Sequence, residues 1–254
     1  GAGEVFLSYL TGLSSSSFFQ QILSVVFALL IFWLFSIWYR RVFIRPLRSK
    51  PRKYWSGFSV QLIFSMIFLA FGMQYIARLV SGFAGDLFPS WMTSYTSLMD
   101  QAGFTAPSGL TYLYMLFLAP VAEELTFRGL TYRFARKALP FWGANILQAL
   151  LFGIIHMNMI QGIYAFVLGL FLGWVCKNGH GIKYSILLHI IFNILGSVFT
   201  NFFEVTIGLN AKAFYGAGII LTIFALILMK REFTIQNKRV RRQTERANAQ
   251  TNQS

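Results

Sequence analysis

Apolar residues occupy the chain in long, nearly unbroken runs separated by short polar or basic pieces. Crossing a hydrocarbon layer about 30 Å thick takes roughly 20 such residues in a helix, and seven stretches meet or approach that length. They are Phe18 to Tyr39, Phe58 to Val80, a run from Leu110 through LAPVAEELTFRG, Phe141 to Met157, Gly162 to Cys176, Ile182 to Phe199 and Phe214 to Met229. The pattern predicts an all-α, polytopic transmembrane helical bundle of about seven spans, forming one integral membrane domain over residues 1–235. Residues 236–254, rich in Gln, Asn and Arg, have no apolar face to bury and are expected to form a disordered cytoplasmic tail. The first run lacks a basic leader and an A-x-A-like exit, so it reads as a retained anchor. The opening GAGEV, without an initiator Met, reads as a processing remnant.

Composition agrees with the pattern. Hydrophobic residues make up 56% of the 254 and charged residues only 12%, with 28 Phe and a mean hydropathy of +0.58. A soluble domain averages roughly 25% charged residues, so too little polar surface remains to face water. Lys and Arg number 22 against 8 acidic residues, a net charge of +14. That excess does not read as a nucleic-acid surface, because the cations sit between apolar runs and not on a groove-reading face. Anionic lipid headgroups are the expected counter-charge. A single cysteine, Cys176, excludes an intrachain disulfide, and no Cys/His cluster offers a structural zinc site.

The cations also set the topology. Of the 22, 20 fall in Arg40 to Lys53, Arg128 to Lys137, Lys177, Lys183 and Lys230 to Arg246, and the alternate connections hold only Arg78 and Lys212. By the positive-inside rule this predicts an outside N-terminus and a cytoplasmic C-terminus. The expected location is a multi-pass protein of a bacterial cell membrane.

Ionisable side chains within spans are costly unless they pair or line a wet cavity, so the misfits carry the information. The third span contains Glu123, Glu124 and Arg128 in AEELTFRG. Glu124 and Arg128 are one helical turn apart and can pair, whereas Glu123 is rotated about 100° and is left over. The fourth span ends in LLFGIIHMN with His156, and the sixth carries SILLHIIFN, where His189 and Asn193 share a face. Three helices offering these groups imply a common cavity. At about 1.5 Å per residue His156 comes out deeper than the others, which requires the residues after Pro140 to lie along the interface.

The ordered set E-E-x-x-x-R, F-x-x-x-H (Phe152 to His156) and H-x-x-x-N (His189 to Asn193) resembles the CPBP family, also called Abi or type II CAAX-protease-like intramembrane proteases. The resemblance covers a core of about residues 110–200. It implies an intramembrane endopeptidase acting on a membrane-associated or lipidated peptide: a prenylated CaaX tail, a bacteriocin leader or a pheromone precursor. Within it, Glu123 is the general base, His156 holds the same water or shuttles its proton, and His189 with Asn193 donates to the oxyanion. Glu124 and Arg128 give structural support.

Two chemistries stay open. Glutamate- and histidine-activated water needs no cofactor, while Glu123, His156 and His189 are also the ligand types of a catalytic zinc site, without an H-E-x-x-H pattern. A lone transmembrane His commonly just bonds to a neighbouring helix; the acidic pair and the Asn weigh against that here. His180, in NGHG, reads as a surface loop residue, and Gly169 and Gly173 as small-residue helix packing. Trp33, Trp38, Trp55 and Trp91 read as interfacial anchors. The rival from another class is a non-catalytic immunity or scaffold protein that binds a peptide or a sensor kinase through the same cavity. A small transporter ranks below both, lacking paired halves.

Overall fold

The computed structural model describes residues 17–41, 57–101 and 107–251. The opening pentapeptide, the part of the basic run beyond Arg41, Trp55 and the last three residues lie outside the described residues. Eight helices are described: α1 (Ser17–Tyr39), α2 (Val60–Leu87), α3 (Pro89–Gln101), α4 (Gly109–Ala135), α5 (Phe141–Ile154), α6 (Met159–Asn178), α7 (Ile182–Val198) and α8 (Thr200–Thr251). No strand occurs among the described residues. The all-helical class is therefore as expected.

Among the described residues four helices are long and apolar enough to cross a membrane: α2, α4, α6 and Thr200–Gln243 within α8. The other apolar helices, Val25–Tyr39 within α1, α5 and α7, are shorter. Their outer faces carry large exposed apolar side chains, among them Phe27, Trp33, Ile146, Leu150 and Ile154, as does α8 with Ile220, Phe224 and Ile227. The buried core lies between α2, α6, α7 and α8, around Leu62, Met66, Leu69, Leu172, Leu188, Phe203 and Met229.

Three expectations change. First, α5 stops at Ile154 after 14 residues, about 21 Å. The chain turns at Met157, whose φ of 53° is left-handed, and Asn158 caps α6 by accepting from Gln161 N at 3.0 Å. His156 thus sits in the turn after the end of α5 and not within the helix. Second, residues 236–251 continue α8 as helix. Residues just before them are anchored on the bundle: Ser59 Oγ donates to Glu232 Oε2 at 2.8 Å, and Phe233 packs on Trp174 and Tyr184. Tyr184 OH donates to Gln236 Oε1 at 3.4 Å, and Arg241 pairs with Glu245 one turn along. Third, Arg78 belongs to α2 itself and not to an external connection.

α8 breaks once, at Asn210 (φ −159°, ψ 87°), whose Oδ1 accepts from Ala213 N at 3.1 Å and so caps the second segment. His180 is exposed in the α6–α7 turn, in keeping with its reading from sequence.

Candidate active site

The helix that bears the acidic pair is not a regular α-helix. α4 starts at Ser108, whose Oγ accepts from Thr111 N at 3.2 Å. It then widens into π turns at Tyr114–Leu118 and Leu125–Thr131, with the short α segment Ala119–Glu124 between them. Pro120 accounts for the first. Ala119 N bonds to Tyr114 O, five residues back, and the next donor in that register would be Pro120, which has no N–H. Met115 O is left without a helical partner, and Asn193 Nδ2 of α7 fills the vacancy at 2.8 Å. In the second widened turn Thr131 Oγ1 donates to Thr126 O (3.0 Å) and Thr126 Oγ1 to Ala122 O (2.8 Å). Wide turns of this kind are frequent at functional sites, and here two of them bracket Glu123 and Glu124.

Glu124 and Arg128 form the expected pair, both fully buried, with Nη1 donating to Oε1 at 2.8 Å. The same Oε1 lies 3.0 Å from His189 Nδ1. A carboxylate held by arginine only accepts, so His189 Nδ1 carries its proton. The opposite nitrogen, Nε2, then stands 3.7 Å from Glu123 Oε2. One buried imidazole is thus strung between two carboxylates, and Glu123, a quarter exposed, is the one that reaches open space.

His156 is placed differently. Its Nδ1 lies 2.7 Å from Phe152 O, again an atom that only accepts, so Nδ1 carries the proton and Nε2 is presented outward. Among the described residues the imidazole within ion-pair distance of Glu123 is that of His189. Both imidazoles stand edge-on to the Phe152 ring, with centroids 5.0 Å (His156) and 5.7 Å (His189) away. The Arg128 guanidinium lies over that ring at 4.5 Å. Phe152 therefore links three charged or titratable side chains through one aromatic surface. Its place in the F-x-x-x-H spacing was visible; this role was not.

A buried polar cluster beneath Arg128 was missed from sequence. Gly169 O accepts from Arg128 Nη2 at 3.2 Å and from Gln148 Nε2 at 2.9 Å. Gln148 Nε2 also donates to Asn145 Oδ1 at 2.8 Å, and Asn145 Nδ2 to Leu170 O at 3.0 Å. The glycines of α6 permit this. A Cβ at Gly169 would lie 3.0 Å from Ala149 and 3.3 Å from Arg128 Nη2, and one at Gly173 would run into the Asn145 amide. The signal available was two amides, Asn145 and Gln148, spaced i, i+3 in an otherwise apolar helix. Gly169 and Gly173 do pack helices closely, and they also admit the polar side chains.

The three candidate metal donors are not gathered around one point. Among the described residues no group of three His, Cys, Asp or Glu is placed to hold a metal ion. In both histidines the hydrogen-bonded nitrogen is Nδ1, held by Glu124 in His189 and by Phe152 O in His156, which leaves each Nε2 open.

Residues 105–195 match the family model of Rce1-like type II CAAX prenyl endopeptidases, a family of proteases. The matched segment contains Glu123, Glu124, Arg128, His156, His189 and Asn193. No curated protein and no solved structure matches the chain.

Proposed function

We propose, with that match as the premise, that the chain is an intramembrane endopeptidase cutting a membrane-associated or lipidated peptide with water activated by Glu123 and His189. The observation that carries this reading is the imidazole of His189 held between Glu124 and Glu123. Glu124 fixes the tautomer and Arg128 supplies its counter-charge, so the basic nitrogen of His189 faces the one carboxylate that is not spent on structure. Glu123 takes a proton from water as it attacks the scissile carbonyl, and that proton passes, directly or by way of Nε2 of His189 or His156, to the leaving amine. Asn193 Nδ2 has one hydrogen engaged by Met115 O and a second available to the oxyanion. No step requires a metal or other cofactor.

In this reading seven segments cross the bilayer, with a short α5 reaching only the depth of His156. The N-terminus lies outside and the basic end of α8 lies on the cytoplasmic side among anionic headgroups, as the charge distribution favours. The substrate is a CaaX-like tail, a bacteriocin leader or a pheromone precursor, presented from the membrane.

The test is cleavage of a prenylated peptide by the purified protein in proteoliposomes, followed by mass spectrometry. Glu123→Gln is expected to lower kcat by about 10² to 10⁴ while membrane abundance stays normal. Unchanged cleavage by that variant overturns the role of Glu123. A protein that folds, binds the peptide and never cuts it supports instead a non-catalytic binding partner.

A further inference from the structure

Beyond Asn210, α8 runs as one unbroken helix to Thr251, and its two sides differ. One side is docked on the bundle: Met229, Phe233 and Gln236 are buried, and Glu232 accepts from Ser59 Oγ at 2.8 Å. The other side is open. There Ile220, Ile223, Phe224 and Ile227 are exposed, and Lys230, Arg231 and Lys238 are exposed in line with them further along. At 3.6 residues per turn all seven fall within an arc of about 120°.

Where the apolar row meets the basic one there is a hollow of 530 Å³, lined by Ile227, Lys230, Arg231, Thr234, Ile235 and Lys238. Its walls are apolar and cationic, and none is acidic. Among the described residues no carboxylate is at ion-pair distance from the three cations, and Glu232 is turned to the docked side. The positive-inside rule counts cations near a helix end without regard to the side they occupy, so their place directly above the exposed apolar row is a separate observation. The dimensions agree with a lipid. From Ile220 to Lys230 the helix rises about 15 Å, half of a hydrocarbon layer about 30 Å thick, so an acyl chain of one leaflet covers the apolar row and ends at the hollow.

We propose that this face of α8 is a binding site for an anionic phospholipid, its acyl chains along Ile220, Ile223, Phe224 and Ile227 and its phosphate headgroup in the hollow between Lys230, Arg231 and Lys238. Three cations with no acid among them favour a headgroup of more than one negative charge, as a phosphate monoester carries. The apolar stems of the long cationic side chains lie along Ile227 and Ile235 while their charged ends meet the phosphate. Each cation at an anionic lipid strengthens binding about fivefold, so three together select such a lipid over a zwitterionic one by about 100-fold. The same turns are tied to α2 and α7 through Ser59 and Tyr184. A lipid in the hollow therefore steadies the end of α8 against the bundle, and the site stands whether or not the chain cuts peptides.

The full chain, delipidated in a neutral detergent, is titrated with dioleoyl phosphatidic acid, dioleoyl phosphatidylcholine and glycerol phosphate. Native mass spectrometry counts what is bound, and the melting temperature is followed alongside. Wild type is expected to bind phosphatidic acid about 100-fold more tightly than phosphatidylcholine and to melt higher with it, and glycerol phosphate is expected to do neither. Lys230→Gln with Arg231→Gln and Lys238→Gln removes that preference and leaves phosphatidylcholine binding unchanged. Arg239→Gln with Arg242→Gln and Arg246→Gln takes the same charge from the helix outside the hollow and stays within about twofold of wild type. Should the first triple variant not fold, Arg231→Gln alone lowers affinity for phosphatidic acid about fivefold. Equal binding of the two lipids by wild type overturns the proposal, and so does an equal loss in the two triple variants, which means diffuse attraction only. Glycerol phosphate held as tightly as the lipid overturns it in favour of a soluble anion, and polyglutamate that displaces the lipid at lower concentration overturns it in favour of an acidic protein.

Discussion

Two arginines in apolar helices are held in nearly the same way and differ in two respects. Arg128 donates to a side chain four residues before it and lies over Phe152 at 4.5 Å. Arg78 donates to a side chain four residues before it and lies over Phe203 at 4.6 Å. For Arg128 the partner is the carboxylate of Glu124 and burial is complete; for Arg78 it is the neutral amide of Gln74 and burial is partial. Charge is closed in the first case and left open in the second. A closed pair fixes structure, here the α4–α6 contact and the orientation of His189. An open charge of the same geometry has a neutral amide as its partner and closes no ion pair among the described residues.

The largest effects test the closed pair. Arg128→Met leaves Glu124 buried without its counter-charge and is expected to cost about 3 to 5 kcal/mol, seen as a lowered melting temperature in detergent. Arg78→Gln strands no carboxylate and keeps a hydrogen-bonding partner for the buried Gln74, so it is expected to cost under about 1 kcal/mol. Adding Glu124→Gln to Arg128→Met removes the stranded charge and should recover more than half of the lost stability without recovering activity, because His189 then loses its charged acceptor. Equal costs at Arg128 and Arg78 would break the distinction between closed and open charge.

Between these lies the glycine contact that admits the amide cluster. Gly173→Ala places a methyl group against Asn145 and Gln148, and overpacking of that kind costs about 1 to 3 kcal/mol. Thermal unfolding reads it directly. Because Gln148 shares the Gly169 carbonyl with Arg128, the substitution should also loosen Arg128 and lower activity, whereas a Cβ at Gly82, with nothing near it, should leave both unchanged.

Much of this was readable in the sequence. The i, i+4 spacing of Glu124 and Arg128 gave their pair, and the shared face of His189 and Asn193 put both toward α4. What could not be read follows from one backbone feature and one packing feature. Pro120 shifts α4 out of α register, and the idle Met115 carbonyl that captures Asn193 exists only after that shift. The turn at Met157 shortens α5, and no periodicity reveals that His156 lies beyond the helix end. The polar cluster of Asn145 and Gln148 needed the knowledge that Gly169 and Gly173 face it. Residues 236–251 were judged by lack of an apolar face, although Phe233 and Gln236 already anchor the helix that they extend.

The smallest expected effects come from the two aromatic rings. Replacing either Phe152 or Phe203 by Leu removes a cation–ring contact worth about 0.5 to 2 kcal/mol, so both variants should melt slightly below wild type. Their activities should separate. Phe152 also stands edge-on to His156 and His189, and its loss frees both imidazoles to rotate, which lowers kcat with little change in KM. Phe203 touches Arg78, Phe71 and Tyr75 but none of the reacting groups, so Phe203→Leu should leave kcat unchanged. The two halves of the comparison are then read in one assay: a ring beneath the closed charge controls the chemical step, and a ring beneath the open one does not.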